Sequence, residues 1–84
     1  RDLELYVDSS GRLVKSSEEV GIHSLPEAVS TAARALGGKI DDIEKVTSNG
    51  KVTYEIEIDR RKAKDLDVVF SPTGELLSQS VDQD

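Results

Sequence analysis

The stretch NGKVTYEIEID, residues 49–59, decides the fold of this 84-residue chain. Apolar or aromatic residues at positions 52, 54, 56 and 58 alternate with polar ones, and this period of two is typical of a strand with one buried face. Asn49-Gly50 is the pair preferred in two-residue type I′ turns between antiparallel strands. Residues 42–48 are therefore predicted to be the antiparallel partner of this strand.

A second hairpin is predicted downstream. Leu66, Val68 and Phe70 occupy alternate positions of another strand pattern. The segment 71–74, Ser-Pro-Thr-Gly, is rich in residues that favour turns, and the chain then returns through residues 75–78. A cluster of basic residues between the two hairpins is interpreted as a charged loop: Arg60, Arg61, Lys62 and Lys64.

One helix is predicted ahead of these strands, over residues 24–36. Apolar residues recur there with the spacing of one helix face, at Leu25, Ala28, Val29, Ala32 and Leu36. Ser24 stands three residues before Glu27, which predicts a capping box, and Gly37-Gly38 predicts the end of the helix. Because the alanines let the helix approach a sheet closely, the large core side chains are expected to come from the strands.

The chain begins and ends with two similar patterns. Residues 2–17, DLELYVDSSGRLVKSS, align without a gap with residues 65–80, DLDVVFSPTGELLSQS, at a constant offset of 65 − 2 = 63. We interpret residues 1–17 as the terminal hairpin of a preceding repeat or as an N-terminal edge hairpin, and residues 18–84 as one domain. The alternative is that two unrelated hairpins share an ordinary pattern.

Together these patterns predict an α+β fold, in which an antiparallel β-sheet meander carries one α-helix on one face, in the order ββ-α-ββββ. Alternation directs Leu3, Tyr54, Ile56, Leu66 and Phe70 toward the helix. The opposite face is acidic with an apolar pair, and we interpret it as a candidate partner-binding face: Glu4, Tyr6, Glu55, Glu57, Asp67 and Val69. The alternative for this face is a solvated surface without a partner.

Composition narrows the function classes. The net charge of −6 repels nucleic acid and anionic lipid, and no apolar run is long enough to span a membrane, so we expect no nucleic-acid partner and no membrane insertion in this segment. The absence of cysteine excludes disulfides and thiolate metal sites. Because the chain opens on Arg1 and contains no methionine, we expect it to be part of a longer protein, and no signal peptide is recognised in this segment.

Candidate catalytic and metal-binding residues are few. His23 is the sole histidine, and no nucleophile or orienting acid can be matched to it by motif, so it is interpreted as an exposed linker residue. Asp41, Asp42 and Glu44 could suggest calcium, but they lack the spacing of a calcium loop and are interpreted as solvated carboxylates. We therefore predict no catalytic residue, no metal site and no cofactor.

Several short motifs resemble the PepSY and PepSY-like domains, which are related to the repeats of β-lactamase-inhibitor-like proteins. The motifs are Leu25-Pro26, Gly37, Ile43 to Val46, YEIEI at residues 54–58, and Gly74-Glu75-Leu76. The chain departs from the family pattern at Ser71, where an aspartate is expected, although the first copy keeps Asp8. The resemblance covers nearly all of residues 24–78, and residues 3–15 match the final hairpin of a preceding unit.

The resemblance implies an extracytoplasmic domain, periplasmic or secreted, without catalytic residues. It further implies a role in restraining peptidases. Our leading hypothesis is a non-catalytic protein-binding module that inhibits or regulates a peptidase or another secreted enzyme. The alternative is a structural repeat unit of a tandem array with no dedicated target, in which sheet edges mediate self-association.

Overall fold

The computed structural model describes residues 2–82, so Arg1, Gln83 and Asp84, which fall within the predicted domain bounds, lie outside the described residues. The elements follow in the order β1 (Leu3–Val7), β2 (Leu13–Glu19), a 3-10 turn (Ile22–Ser24), α1 (Glu27–Arg34), β3 (Lys39–Ser48), β4 (Lys51–Asp59), β5 (Leu66–Phe70) and β6 (Leu76–Val81). The strands form one antiparallel sheet in sequence order, β1 to β6. The predicted α+β meander with one helix is confirmed.

The hairpin of β3 and β4 forms the centre of the sheet. Asn49 and Gly50 both have positive φ, 53° and 78°, as a type I′ turn requires. Ser48 pairs with Lys51, and this register continues to the pair of Asp42 with Glu57. The Asn-Gly pair therefore fixes which residues of β3 stand beside residues 51–57 of β4, and the register shifts beyond them, between Ile40 and Asp42.

The start of α1 differs from the prediction. Ser24 ends the 3-10 turn and caps nothing with its side chain, and Pro26 holds the N-cap position. The physical reason is that a residue before proline is pushed out of the helical region, and Leu25 is extended, with φ −78° and ψ 136°. The helix therefore begins at Glu27 rather than at residue 24, and the predicted capping box is wrong.

The end of α1 lies close to the predicted position. The Leu36 amide donates to the Ala33 carbonyl, the Gly37 amide donates to Arg34, and Gly37 then adopts a φ of 76°. Gly38 is needed for a different reason, since an added Cβ would lie 2.7 Å from Ile58 Cγ2 and 2.8 Å from the Asp59 carbonyl oxygen. The second glycine thus lets the chain pass directly against β4.

The hydrophobic core lies between α1 and the three strands β3, β4 and β5. Val29 and Ala33 are the buried residues of the helix, whereas Ala28, predicted to share the apolar stripe, is exposed. The other core residues, as predicted, are mostly larger side chains from the strands: Ile43, Tyr54, Ile56, Ile58, Leu66, Val68 and Phe70, with Leu25 ahead of the helix. A small residue at position 33 allows the helix to approach them.

The prediction that Leu3 is an inward-facing core residue is wrong. It shares a face with the core strands, but it is 60% exposed because β1 lies two strands beyond the sheet region that α1 covers. Tyr54, Ile56, Leu66 and Phe70, assigned to the same face, are buried. Strand alternation therefore gives the correct side of the sheet but not the extent of the helix cover.

The two terminal hairpins have the same backbone geometry. Their paired residues coincide when the numbers of the first hairpin are raised by 65 − 2 = 63. The pair Leu3 and Glu18 corresponds to Leu66 and Val81, and the pair next to the turn, Val7 and Leu13, corresponds to Phe70 and Leu76. Each has one register shift at the corresponding position, between Tyr6 and Val7 in one hairpin and at the matching step of the other. The sequence similarity thus extends to pairing, irregularity and turn.

Candidate functional site

The candidate partner-binding residues all lie on the sheet face opposite α1. Glu55 pairs with Glu44 of β3 and with Val69 of β5, and Glu57 pairs with Asp42 and with Asp67. Four of the six predicted residues are therefore immediate neighbours: Glu55, Glu57, Asp67 and Val69. Glu4 and Tyr6 share the face but lie on β1, three strands away from β4.

The neighbouring residues on this face line a groove of about 340 Å³ across the middle of the sheet. Its side chains come from the four strands β3 to β6. The strand register aligns them in two rows across the sheet: Asp42, Glu57, Asp67 and Ser80 in one, and Glu44, Glu55, Val69 and Ser78 in the other. We call this the acidic groove, and it is lined by five carboxylates with Val69 and two serines: Asp42, Glu44, Glu55, Glu57, Asp67, Ser78 and Ser80. Among the described residues 2–82, no lysine or arginine lines it.

The carboxyl group of Glu57 is the most perturbed group of the groove. Its pKa is raised from 4.5 to about 7, first because it hydrogen-bonds the carboxylate of Asp65, and then because of desolvation and the negative charges of Asp65, Asp67 and Asp41. The like charges disfavour ionisation of one member of the group. Near neutral pH a proton is therefore shared between this glutamate and its neighbours.

Asp67 belongs to the same group of carboxylates. Burial raises its pKa, and the charges of Asp82 and Asp65 raise it further. Single carboxylate oxygens of Glu57, Asp67 and Asp82 lie within 4.8 Å of one another. Three oxygens at this separation could contribute to a hard-cation site, but calcium takes about six to eight oxygen ligands, and the proton at Glu57 already reduces the repulsion, so we assign no ion to the group.

At the other end of the face, the side chains of the predicted residues Tyr6 and Glu4 interact with each other and with Lys15. The Tyr6 hydroxyl donates to Glu4 Oε1 at 2.9 Å, and this bond raises the pKa of the tyrosine. Lys15 places its ammonium nitrogen 5.1 Å from the centre of the Tyr6 ring. This end therefore carries a local cation–π and hydrogen-bonded arrangement rather than a concentration of negative charge.

Sequence reasoning missed Asp42 and Glu44 as parts of the groove, although it considered both for calcium. The signal that could have found them is the Asn-Gly turn, which places Glu44 opposite Glu55 and Asp42 opposite Glu57. Glu44 also accepts a hydrogen bond of 2.9 Å from the hydroxyl of Ser17 on β2. Ser78 and Ser80 were missed as well, because they join the groove through their pairing with Val69 and Asp67 across the last hairpin.

The remaining candidates lie apart from the groove. His23 is exposed in the 3-10 turn that precedes α1. The predicted basic loop connects β4 and β5, where Arg60 Nε donates to the carbonyl of Lys64 at 2.7 Å. In the described residues 2–82, neither helical segment has the length and apolarity needed to cross a bilayer.

Comparison with known proteins identifies the fold. Two solved structures are DUF2874 family proteins, one from Bacteroides uniformis (19% identity, TM-score 0.85, 94% of this chain and 62% of that one) and one from Bacteroides ovatus (15%, 0.81, 94% and 60%). A third, from Bacteroides eggerthii, is provisionally described as periplasmic (19%, 0.86, 95% and 62%). The chain thus spans about three fifths of the length of these proteins.

At such identities the likeness establishes the fold alone. No family model matches the chain, and no curated protein matches it. The resemblance to PepSY domains, the division into residues 1–17 and 18–84, and the binding role of the predicted face stay predictions.

Proposed function

We propose that this chain is a non-catalytic protein-binding module that acts outside the cytoplasm, and that its acidic groove binds a basic segment of the partner. The observation that carries the proposal is the convergence of five carboxylates from three strands on one groove that no lysine or arginine of residues 2–82 lines. A lysine or arginine of a partner would offset a repulsion that the fold otherwise sustains. The apolar surface of Val69 adds a contact that does not depend on charge.

The raised pKa values give the proposed interaction a characteristic pH dependence. A bound cation favours the ionised form of Glu57, whose pKa in the free protein is about 7. Binding therefore releases a proton near neutral pH, and affinity should increase as the pH rises through this value. Added salt should weaken binding because exposed charges are screened.

The class of partner follows from the PepSY resemblance. That family is extracytoplasmic in most settings and has been proposed to restrain peptidases, so a peptidase or another secreted enzyme is the proposed target, and inhibition or regulation is the proposed effect. The fold shared with a Bacteroides protein provisionally described as periplasmic supports this location. No cofactor is part of the proposal.

Two charge-reversal variants test the groove. Glu55→Lys with Asp67→Lys changes the groove, whereas Glu27→Lys with Glu75→Lys changes the net charge equally at exposed positions on α1 and in the last turn. An oligolysine peptide, titrated by calorimetry at low and high salt, and capture from an extracytoplasmic fraction provide the two measurements. We expect loss of both interactions in the groove variant alone, and equal loss in the control variant would contradict the proposal.

A second candidate function is a structural repeat unit. The observation that favours it is strand β1, whose outer edge has no neighbouring strand within residues 2–82, and which pairs with β2 in a hairpin that repeats the geometry of the last one. Such an edge can add strands from a neighbouring unit. A full-length gene that encodes further copies of the pattern, with no partner captured by the groove, would favour this function over binding.

A further inference from the structure

The two geometrically equivalent hairpins differ in what covers them. On the last hairpin, Leu66, Val68 and Phe70 are 4%, 1% and 1% exposed beneath α1. Their equivalents at the offset of 63 residues on the first hairpin are Leu3, Leu5 and Val7, which face the same side of the sheet and are 60%, 61% and 61% exposed.

The turns of the two hairpins show the same difference independently. Gly74 lies so close to the first turn of α1 that an added Cβ would be 2.7 Å from the Ala28 carbonyl oxygen. Gly11, its equivalent, has nearly the same φ, 85° against 89°, but an added Cβ would have no neighbour within 4 Å among residues 2–82. The first hairpin thus has the shape that receives a helix at both its strand face and its turn.

We propose that the apolar surface of the first hairpin, formed by Leu3, Leu5, Val7 and Leu13, is the docking site for a second helix of the α1 type. This helix belongs to a repeat unit joined ahead of β1 in the same polypeptide. It is amphipathic and carries small apolar residues on its docking face, where α1 has Val29 and Ala33. The proposal is independent of the acidic groove, which lies on the opposite side of the sheet.

Three observations select a helix as the occupant. The equivalent surface of β5 is covered by a helix, and the shared register reproduces the spacing of the side chains that this helix contacts. Both turns carry a glycine at the equivalent position, Gly11 and Gly74. At Gly74 the first turn of α1 approaches so closely that a Cβ would not fit. The proteins that share the fold are longer, since this chain covers 60–62% of them, and so have further chain that can supply such a unit.

A tandem chimera tests the proposal. Residues 18–64 are added directly ahead of residue 2, so that the new junction reproduces the natural step from residue 64 to residue 65. Because the chain contains no cysteine, Leu5→Cys supplies a single thiol in the chain and in the chimera. We expect this thiol to react rapidly with a disulfide reagent in the chain and to be slowed by roughly tenfold or more in the chimera, as for groups that react only after local opening.

Two controls accompany the chimera. Val68→Cys in the original chain gives the rate of a thiol that α1 covers, and Val29→Asp in the added copy removes the apolar contact while keeping the length. The Asp-containing chimera should restore rapid reaction of the Leu5→Cys thiol. A folded chimera whose thiol reacts as fast as in the original chain would overturn the proposal.

A measurement on the unmodified chain decides the case in which the chimera does not fold. A synthetic peptide of residues 22–38 is titrated against the isotope-labelled chain, and amide chemical shifts are followed, with the Val29→Asp peptide as the control. Shifts at Leu3, Leu5 and Val7 that the control peptide does not produce support the proposal. Absence of these amide shifts at the highest soluble peptide concentration would overturn it. Protection of the Leu5→Cys thiol that increases with the concentration of the chain alone would also overturn it, because self-association would then cover the surface.

Discussion

The hairpin of β1 and β2 and the hairpin of β5 and β6 are built alike and packed differently. Both have the same pairing, and in each turn the glycine amide donates to the carbonyl three residues earlier, Gly11 to Asp8 and Gly74 to Ser71. Within residues 2–82 the last hairpin provides three of the seven strand residues of the core cluster, whereas the first hairpin exposes its apolar side chains. Local sequence therefore determines the hairpin, and burial depends on whether a helix lies above it.

The largest expected effect concerns the equivalent residues Phe70 and Val7. Phe70→Ala should lower the free energy of unfolding by about 3–5 kcal/mol, because it leaves a cavity under α1. Val7→Ala should cost about 0.5 kcal/mol or less, because the side chain is exposed. Urea denaturation of the two variants measures both, and similar losses would mean that the first hairpin is also packed against a cover.

The two turn glycines should show the next largest difference. Alanine at either position is strained by roughly 1–2 kcal/mol at positive φ. Gly74→Ala should cost about 1 kcal/mol or more beyond this, because its Cβ also meets the Ala28 carbonyl and displaces the helix. Thermal unfolding of Gly74→Ala beside Gly11→Ala checks the order, and equal shifts in Tm would argue against the helix contact.

The open faces of the two hairpins also differ, since Asp67 lies beside Glu57 whereas its equivalent Glu4 accepts a hydrogen bond from the Tyr6 hydroxyl. Because the folded pKa of Glu57 is raised from 4.5 to about 7, the folded state binds more protons than the unfolded state between these values. Stability should therefore fall as the pH rises across this window.

Glu57→Gln should remove most of this fall in stability, whereas Glu55→Gln should retain it. Urea midpoints at several pH values between 4.5 and 8 provide the measurement. A wild-type midpoint that does not decrease across the window would contradict the shared proton.

The smallest effect is expected at the turns, where Asp8 in one hairpin corresponds to Ser71 in the other. Asp8 Oδ1 accepts hydrogen bonds from the Ser10 hydroxyl and from the amides of Ser10 and Arg12. These bonds, the Ser10 side chain first, lower its pKa. Its stabilising contribution should be present above the ordinary value of 3.8 and be lost as the pH falls through the lower folded value.

Asp8→Ser should therefore slightly lower the urea midpoint at neutral pH and weaken the acid dependence of stability. Ser71→Asp is the matched change in the other hairpin, where the Ser71 hydroxyl already accepts from the Glu75 amide at 3.1 Å. It should slightly raise the midpoint. A decrease with Ser71→Asp would show that the second turn is constrained by its contact with α1.

The candidate site was partly predictable from local patterns. Alternation along β4 and β5 placed Glu55, Glu57, Asp67 and Val69 on one face, because successive strand residues point to opposite sides. Alternation did not show that Asp42 joins them, since that depends on the register across the Asn-Gly turn. The carboxylate group around Glu57 depends further on side chains from the neighbouring strands, which single-strand patterns do not relate.

The sequence by itself determined the order of elements, the central turn, the end of the helix and the side of the sheet to which each strand residue points. These features depend on interactions between residues close in the chain, such as strand alternation and the positive φ of glycine. The tertiary structure alone decided that Leu3 is exposed while Leu66 is buried, and that the pKa of Glu57 is raised to about 7. Burial and charge repulsion depend on the total surroundings of a group, and distant segments of the chain supply those surroundings.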